Sequence, residues 1–116
     1  MEACVFCDII AGRSPASAVY RDEYCIAVMD ICPINPGHLL VSPVNHATHL
    51  ADLEPRVGDA LFGVAQKLAA AIRGSGLKAE GINLLLADGE AAGQEVFHVH
   101  LRMSCHGFEE MVSDRA

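Results

Sequence analysis

The segment Val96–Met103 alternates polar and apolar residues, and its polar positions are basic: His98, His100 and Arg102. A period of two predicts a β-strand with these three side chains on one face and the apolar residues on the other. A neutral imidazole is a nucleophile and a guanidinium binds phosphate oxygens, so the basic face would suit an anion. A half-exposed strand that carries two histidines by chance explains the alternation equally well.

The length of 116 residues fits one domain, 1–116, and a composition that is 52% hydrophobic provides for a core without disulfides. The formal net charge of −7 argues against a protein that binds nucleic acid through a basic face. A small anionic ligand could still be bound by a few local cations and backbone N–H groups. We expect the polar tail, residues 109–116, to be flexible.

The sequence also predicts a cytoplasmic location. The N-terminus lacks a basic region followed by a long apolar run, as a secretory signal would have, and no apolar stretch approaches the ~20 residues of a membrane span. The five cysteines form only one close pair, which makes a poor disulfide framework and is typical of a reducing compartment.

Periodicity predicts an α+β domain with about five strands, one long helix and one short helix. The long helix has an apolar stripe from Val57 to Ile72, with Asp52 as its cap, Pro55 in its first turn and Gly74 at its end. The predicted strands are Ser17–Arg21, Tyr24–Met29, His38–Ser42, Ile82–Leu86 and Val96–Met103, and the short helix is Phe6–Ala11.

The glycine-containing loop Ala87–Gln94 leads directly into the histidine segment. Glycines let backbone N–H groups approach a ligand closely, so the loop and the imidazoles together could bind a phosphoryl group. Glu95 would oppose this if it faced the ligand, and an ordinary surface turn is the alternative. His38 could orient a nucleophile only if its strand lies beside that of His100; otherwise it is a core histidine.

Cys4 and Cys7 form a C-x-x-C pair whose spacing suits two ligands of a tetrahedral zinc ion. No second pair is present, so histidines would have to complete the site. A redox pair or two small apolar residues are the alternatives. Zinc is favoured because histidines are plentiful and the pair lacks the strand and long helix that flank redox motifs.

Four motifs, in order, resemble those of the histidine triad family: C-V-F-C-D-I-I-A-G, V-M-D-I, N-P-G-H-L-L-V-S-P-V-N-H and D-G-E-A-A-G-Q-E-V-F-H-V-H-L-R. The resemblance extends from Cys4 to about Met103. It implies a five-stranded antiparallel sheet with one long and one short helix, a homodimer, and a purine nucleoside monophosphate unit as ligand.

The resemblance also implies roles for individual residues. His100 matches the family's nucleophile, His38 matches a supporting histidine, and Asp30 matches the residue that binds the ribose hydroxyls. The base wall would comprise Phe6, Ile9 and Ile31, and the phosphate site would comprise Gly93, Gln94, Glu95, Val96, His98 and Arg102. In the family's zinc-bearing members, the metal ligands match Cys4, Cys7, His46 and His98.

Three positions depart from the family pattern. Arg102 replaces the third histidine of the triad, Ala87 replaces an asparagine and Glu95 replaces a serine. We expect a hydrolase that forms a nucleotidyl-histidine intermediate and acts weakly on phosphoramidates, because a guanidinium is a poor proton donor. Acyl-adenylates should be affected less. A non-catalytic nucleotide-binding module, a nucleotidyl transferase and a small zinc protein without a nucleotide are the alternatives.

Overall fold

The computed structural model describes residues 4–29, 38–75 and 80–106; Asp30, Ile31 and the tail 109–116 lie outside these ranges. The elements in chain order are α1 (Val5–Ile10), β1 (Ala18–Arg21), β2 (Cys25–Met29), β3 (Leu39–Pro43), α2 (Pro55–Arg73), β4 (Gly81–Leu85) and β5 (Leu101–His106). Short 3-10 turns occur at Leu50–Asp52 and Glu90–Ala92. Within the described ranges, no helix has the length and apolar character that crossing a bilayer requires.

The five strands form a single sheet in the order β1-β2-β3-β5-β4, with every neighbouring pair antiparallel. The last strand in the chain, β5, is inserted between β3 and β4. This arrangement, with one long and one short helix, confirms the predicted fold class.

The long helix α2 covers one face of the sheet. Its apolar stripe, which includes Leu61, Val64 and Leu68, packs into one buried cluster with sheet residues such as Val41 and Met103. Burying each such side chain stabilises the fold by roughly 1.5–3 kcal/mol. Val99 and Leu101 belong to the same cluster. Because side chains alternate along a strand and Leu101 and Met103 both face α2, Arg102 lies on the opposite face of the sheet.

The last strand begins later than the sequence predicts: β5 covers Leu101–His106, and the prediction of a strand over Val96–Met103 is wrong for its first half. The reason is that side chains donate hydrogen bonds to backbone carbonyls that would otherwise be available for pairing with a neighbouring strand. Gln94 Nε2 donates to the carbonyl of Val96 (3.1 Å), and a ring nitrogen of His100 donates to the carbonyl of His98 (2.9 Å).

The start of α2 also differs from the prediction. Asp52 is not its cap: the Asp52 carboxylate accepts from the N–H of His49 (3.1 Å) within a 3-10 turn. Leu53 is extended and separates that turn from the helix, whose N-cap is Glu54 without a side-chain hydrogen bond. Pro55 in the first turn and Gly74 at the end are confirmed.

Candidate functional site

Two cysteines and two histidines from distant parts of the chain form a compact group. The candidate ligand atoms of Cys4, Cys7, His46 and His98 all lie within 4.8 Å of one another. His98 Nδ1 is 3.3 Å from Cys4 Sγ and 3.6 Å from Cys7 Sγ, while His46 Nδ1 is 3.3 Å from Cys7 Sγ. These four residues, the predicted ligand set, form a possible metal site.

A backbone carbonyl orients the ring of His98 for metal binding. Its Nε2 lies 2.8 Å from the carbonyl oxygen of Pro43 and must donate to it, because a carbonyl only accepts. The neutral ring therefore keeps its lone pair on Nδ1, the atom that faces the two sulfurs. Two thiols and two imidazoles match the ligand set and coordination number of Zn²⁺. The residues present thus fit the metal.

Burial adjusts the protonation of the same residues. His98 is fully buried, and this burial lowers its pKa against the opposing effect of the Pro43 carbonyl, so the ring stays neutral, as a metal ligand must. Burial, followed by the adjacent Cys4 thiol, raises the pKa of Cys7 in the protein without metal. A bound cation would favour the thiolate, so metal binding at Cys7 releases a proton.

Helix α1 holds the cysteines in place and contributes one ring. Cys4 is the N-cap of α1, and its sulfur accepts a hydrogen bond from the N–H of Cys7 (3.4 Å). Between them lies Phe6, which is 3% exposed. The centroid of its ring is 5.4 Å from that of His98 and 5.1 Å from that of His100.

His100 is oriented by its neighbour two residues back. Its Nδ1 lies 2.9 Å from the carbonyl oxygen of His98 and must carry the donated proton. The lone pair of the neutral ring is then on Nε2, the nitrogen able to act as a nucleophile. His100 is half-buried rather than enclosed, so a ligand has access to it.

A cavity of about 180 Å³ opens beside His100. One water occupies about 30 Å³ in the liquid, so a phosphoryl group fits there. The lining includes Arg102, Ala87 and Glu95, the three positions that depart from the family pattern, together with Leu85, Gly93, Val96 and His100. A larger open cavity of about 860 Å³, against α1 and His46, shares Glu95 and Val96 with it.

The loop before the histidine segment is held together internally. Gly89 and Gly93 have φ of +99° and +95°, which favours glycine at both positions. The N–H groups of Gly93 and Gln94 donate to carbonyls within the loop, and the buried Gln94 side chain bonds to Gly89, Thr48 and Val96. The N–H groups of Gly93 and Gln94 are therefore occupied within the loop, and the two residues that follow them, Glu95 and Val96, line the cavity beside His100.

Of the remaining predicted site residues, the structure describes Ile9 and His38. Ile9 is half-buried on α1, and His38 immediately precedes β3, the strand that neighbours β5. Leu40 pairs with Arg102, which puts His38 nearer along the sheet to Arg102 than to His100. The role of His38 stays a prediction. Asp30 and Ile31 fall outside the described residues.

Sequence reasoning missed two features of the centre. The carbonyl of Pro43 sets the tautomer of His98, and Phe6 contacts both histidine rings. A backbone carbonyl has no residue signature, so nothing in the sequence could identify the first. The position of Phe6 between two candidate metal ligands was the available signal for the second.

Several known proteins resemble this chain over most of its length. A HIT-like protein of Mycobacterium tuberculosis is 42% identical over 100 residues, which are 86% of this chain and 69% of the relative. An adenylylsulfatase of Arabidopsis thaliana is 38% identical over 103 residues, or 86% of this chain and 50% of the relative.

Solved structures share the fold. A Zn-bound histidine triad family protein from Mycobacterium smegmatis superposes with a TM-score of 0.87 at 42% identity, covering 91% of this chain and 76% of that one. A histidine triad nucleotide-binding protein from Sulfolobus tokodaii gives 0.85 at 31% identity, covering 90% and 70%. The HIT domain model matches residues 11–103. With its sheet, its C-x-x-C pair and its oriented histidines, the chain therefore belongs to the histidine triad family.

Proposed function

We propose that this protein is a hydrolase of nucleoside monophosphate derivatives that acts through a covalent nucleotidyl-histidine intermediate. The observation that carries the proposal is the hydrogen bond from His100 Nδ1 to the carbonyl of His98, because it leaves the lone pair on Nε2 of a ring that lines a cavity. An accessible, pre-oriented imidazole beside space for a phosphoryl group is the requirement for nucleophilic catalysis at phosphorus.

The proposed reaction has two steps. His100 Nε2 attacks the α-phosphorus, a P–N bond forms, and the bond to the leaving group breaks with its electron pair departing on that group. Water then attacks the same phosphorus and releases a proton to the solvent, the P–N bond breaks with its electron pair returning to His100 Nε2, and the nucleoside monophosphate leaves. We assign the stabilisation of charge on the phosphoryl oxygens to the backbone N–H groups of Glu95 and Val96, two residues that line the cavity.

The proposed ligand is a purine nucleoside monophosphate unit. Phe6, Ile9 and Ile31 would enclose the base, and Asp30 would bind the ribose hydroxyls. The apolar wall accepts either purine. Support for a nucleotide comes from two relatives: the Sulfolobus tokodaii protein is described as nucleotide-binding, and the Arabidopsis thaliana relative is an adenylylsulfatase.

Arg102 would shift the choice of leaving group. A guanidinium stays protonated at neutral pH, so it attracts an anionic group but transfers no useful proton to it. Amines need that proton before they leave, whereas carboxylate and sulfate are good leaving groups as anions. We therefore propose that the protein hydrolyses mixed anhydrides such as acyl-adenylates faster than it hydrolyses phosphoramidates.

The first test is the covalent intermediate. Incubation with an adenylate substrate, an acid-free quench and intact-mass analysis should reveal a nucleotidyl adduct on the protein. Replacing His100 by Ala should abolish the adduct and lower turnover at least about a thousandfold, as expected when a nucleophile is removed. The exposed His49, replaced by Ala, is the matched control and should change neither.

The outcomes separate the candidate functions. Binding of AMP without an adduct would identify a non-catalytic module and contradict the enzyme. An adduct that passes its nucleotide to an added acceptor faster than to water would identify a transferase. If neither AMP nor GMP raises the melting temperature, the protein does not bind these nucleotides, and the alternative of a small zinc protein without a nucleotide ligand would be favoured.

Changing Arg102 to His should restore a general acid on the leaving-group side. We expect phosphoramidate turnover to rise by up to about 10²–10⁴, the usual contribution of general acid catalysis, and acyl-adenylate turnover to change far less. Steady-state rates on both substrates measure this. Arg73→His, at the exposed end of α2, controls for the loss of a positive charge. An unchanged phosphoramidate rate in a folded R102H protein would refute this role of Arg102.

We also propose that Zn²⁺ occupies the group of Cys4, Cys7, His46 and His98 as a structural ion that fastens α1 to the histidine segment. Metal analysis should find one zinc per chain, lost in Cys4→Ala and retained in Cys25→Ala, whose thiol is buried in the core cluster. Zinc at a hundred times its Kd should stabilise the fold by about 2.7 kcal/mol in chemical unfolding. Protein purified under reducing conditions without zinc, and unable to take it up, would reject the site.

A homodimer is the proposed assembly, formed along the edge strand β4. Leu84 and Leu85 on β4 are large apolar side chains left exposed, and among the described strands only β5 pairs with β4. Leu84→Lys should shift the molecular mass in solution, measured by light scattering, from dimer towards monomer. Val19→Lys, equally exposed on the opposite edge strand β1, should leave the dimer intact. Equal effects of both changes, or a monomeric parent protein, would exclude this interface.

A further inference from the structure

The side chain of Phe6 contacts both His98, a member of the metal group, and His100, the proposed nucleophile. It lies between Cys4 and Cys7 in the first turn of α1, so its backbone is fixed wherever those two cysteines are fixed. Its buried ring meets His98 at a centroid distance of 5.4 Å and His100 at 5.1 Å.

The ring of His100 needs such a contact. Its hydrogen bond from Nδ1 to the carbonyl of His98 fixes the tautomer, but a single hydrogen bond leaves the plane of the ring free to tilt. The Phe6 ring lies at 33° to the plane of His100 and limits that tilt from one side. The direction of the Nε2 lone pair in the cavity therefore depends on where Phe6 is held.

Helix α1 cannot hold Phe6 by itself. The helix has six residues, and an isolated helix of this length is marginal in water. Its first turn is attached to the rest of the protein through the contacts of Cys4 and Cys7 with His98 and His46. The last residue of α1 is held separately, by a hydrogen bond from Arg21 to the carbonyl of Ile10 (3.1 Å), so at the first turn the position of Phe6 depends on the attachment of these two sulfurs.

We infer that Phe6 is a positioning residue for His100, and that binding of a metal ion by Cys4, Cys7, His46 and His98 sets the orientation of the nucleophile through the Phe6 ring. Metal content thereby regulates the rate of the phosphorus chemistry without any contact between the metal and the nucleotide. The catalytic consequence rests on the proposed function; the structural coupling does not.

The first experiment follows the ring itself. In the ¹³C-labelled full chain, the His100 ring resonance, assigned by its loss in His100→Ala, is compared between zinc-loaded and chelator-treated protein. We expect removal of zinc to shift this resonance and to slow adduct formation with an adenylate about tenfold to hundredfold, as a misplaced reacting group does. The NMR readout is independent of any activity.

Three variants separate positioning from a role in the base wall. In zinc-loaded Phe6→Leu we expect the same shift of the His100 resonance and no further response of that resonance to chelation, whatever AMP affinity is lost with the base wall. Phe6→Tyr keeps the ring, and its His100 resonance should keep the parent protein's response to zinc. Ile9→Ala, the matched change in the predicted base wall, should weaken AMP binding while keeping the full response to zinc.

Two results would overturn the inference. One is a His100 resonance that is the same with and without zinc in the parent protein. The other is a Phe6→Leu protein that still responds fully to zinc, because the coupling would then run through the backbone of His98. If no adduct forms even with zinc, the proposed function fails while the resonance still decides the coupling. Should Phe6→Leu not fold, Phe6→Met, which also removes the ring but fills irregular core space more readily, takes its place in the same comparison.

Discussion

His98 is the interaction centre on which the rest of the site depends. Its Nε2 donates to the carbonyl of Pro43, its Nδ1 faces the two cysteine sulfurs, and its own carbonyl accepts from His100. One buried residue thus joins the sheet, helix α1 and His100, the proposed nucleophile. A buried imidazole without these partners would be costly, so its surroundings are fixed once the ring is inside.

The cavity beside His100 explains why the departures from the family pattern occur together. Ala87, Glu95 and Arg102 come from a loop, the segment after it and strand β5, yet all three line the same small space. Relative to the motifs that the sequence resembles, these positions lack an amide and a hydroxyl and add one charge of each sign, and under the proposed function this would change the surroundings of the leaving group. His100, the proposed nucleophile, keeps its carbonyl partner, so the bond-forming step would be preserved while the bond-breaking step would be altered.

Much of the fold could be predicted from the sequence. The stripe of α2 and its end at Gly74 follow from helical periodicity and glycine chemistry, and the antiparallel arrangement followed from the family motifs. Prediction failed where side chains compete for backbone groups. Gln94 and His100 take up the carbonyls of Val96 and His98, which delays β5 to Leu101, although the alternating pattern looked like strand from Val96 onwards. Periodicity reports which face a residue occupies, not which acceptor satisfies its backbone.

The sequence by itself determined the types of chemistry available: a C-x-x-C pair, spaced histidines, a guanidinium at position 102 and a core face made by Val99, Leu101 and Met103. His98 and His100 are chemically identical and lie two residues apart, and only the tertiary structure decided which ring nitrogen of each one is protonated. The ring of His98 donates from Nε2 to the carbonyl of Pro43, so its Nδ1 faces the sulfurs with a lone pair. The ring of His100 donates from Nδ1 to the carbonyl of His98, so its lone pair is on Nε2. The physical reason is that a tautomer is set by the acceptor a ring encounters, and a backbone acceptor is placed by the fold.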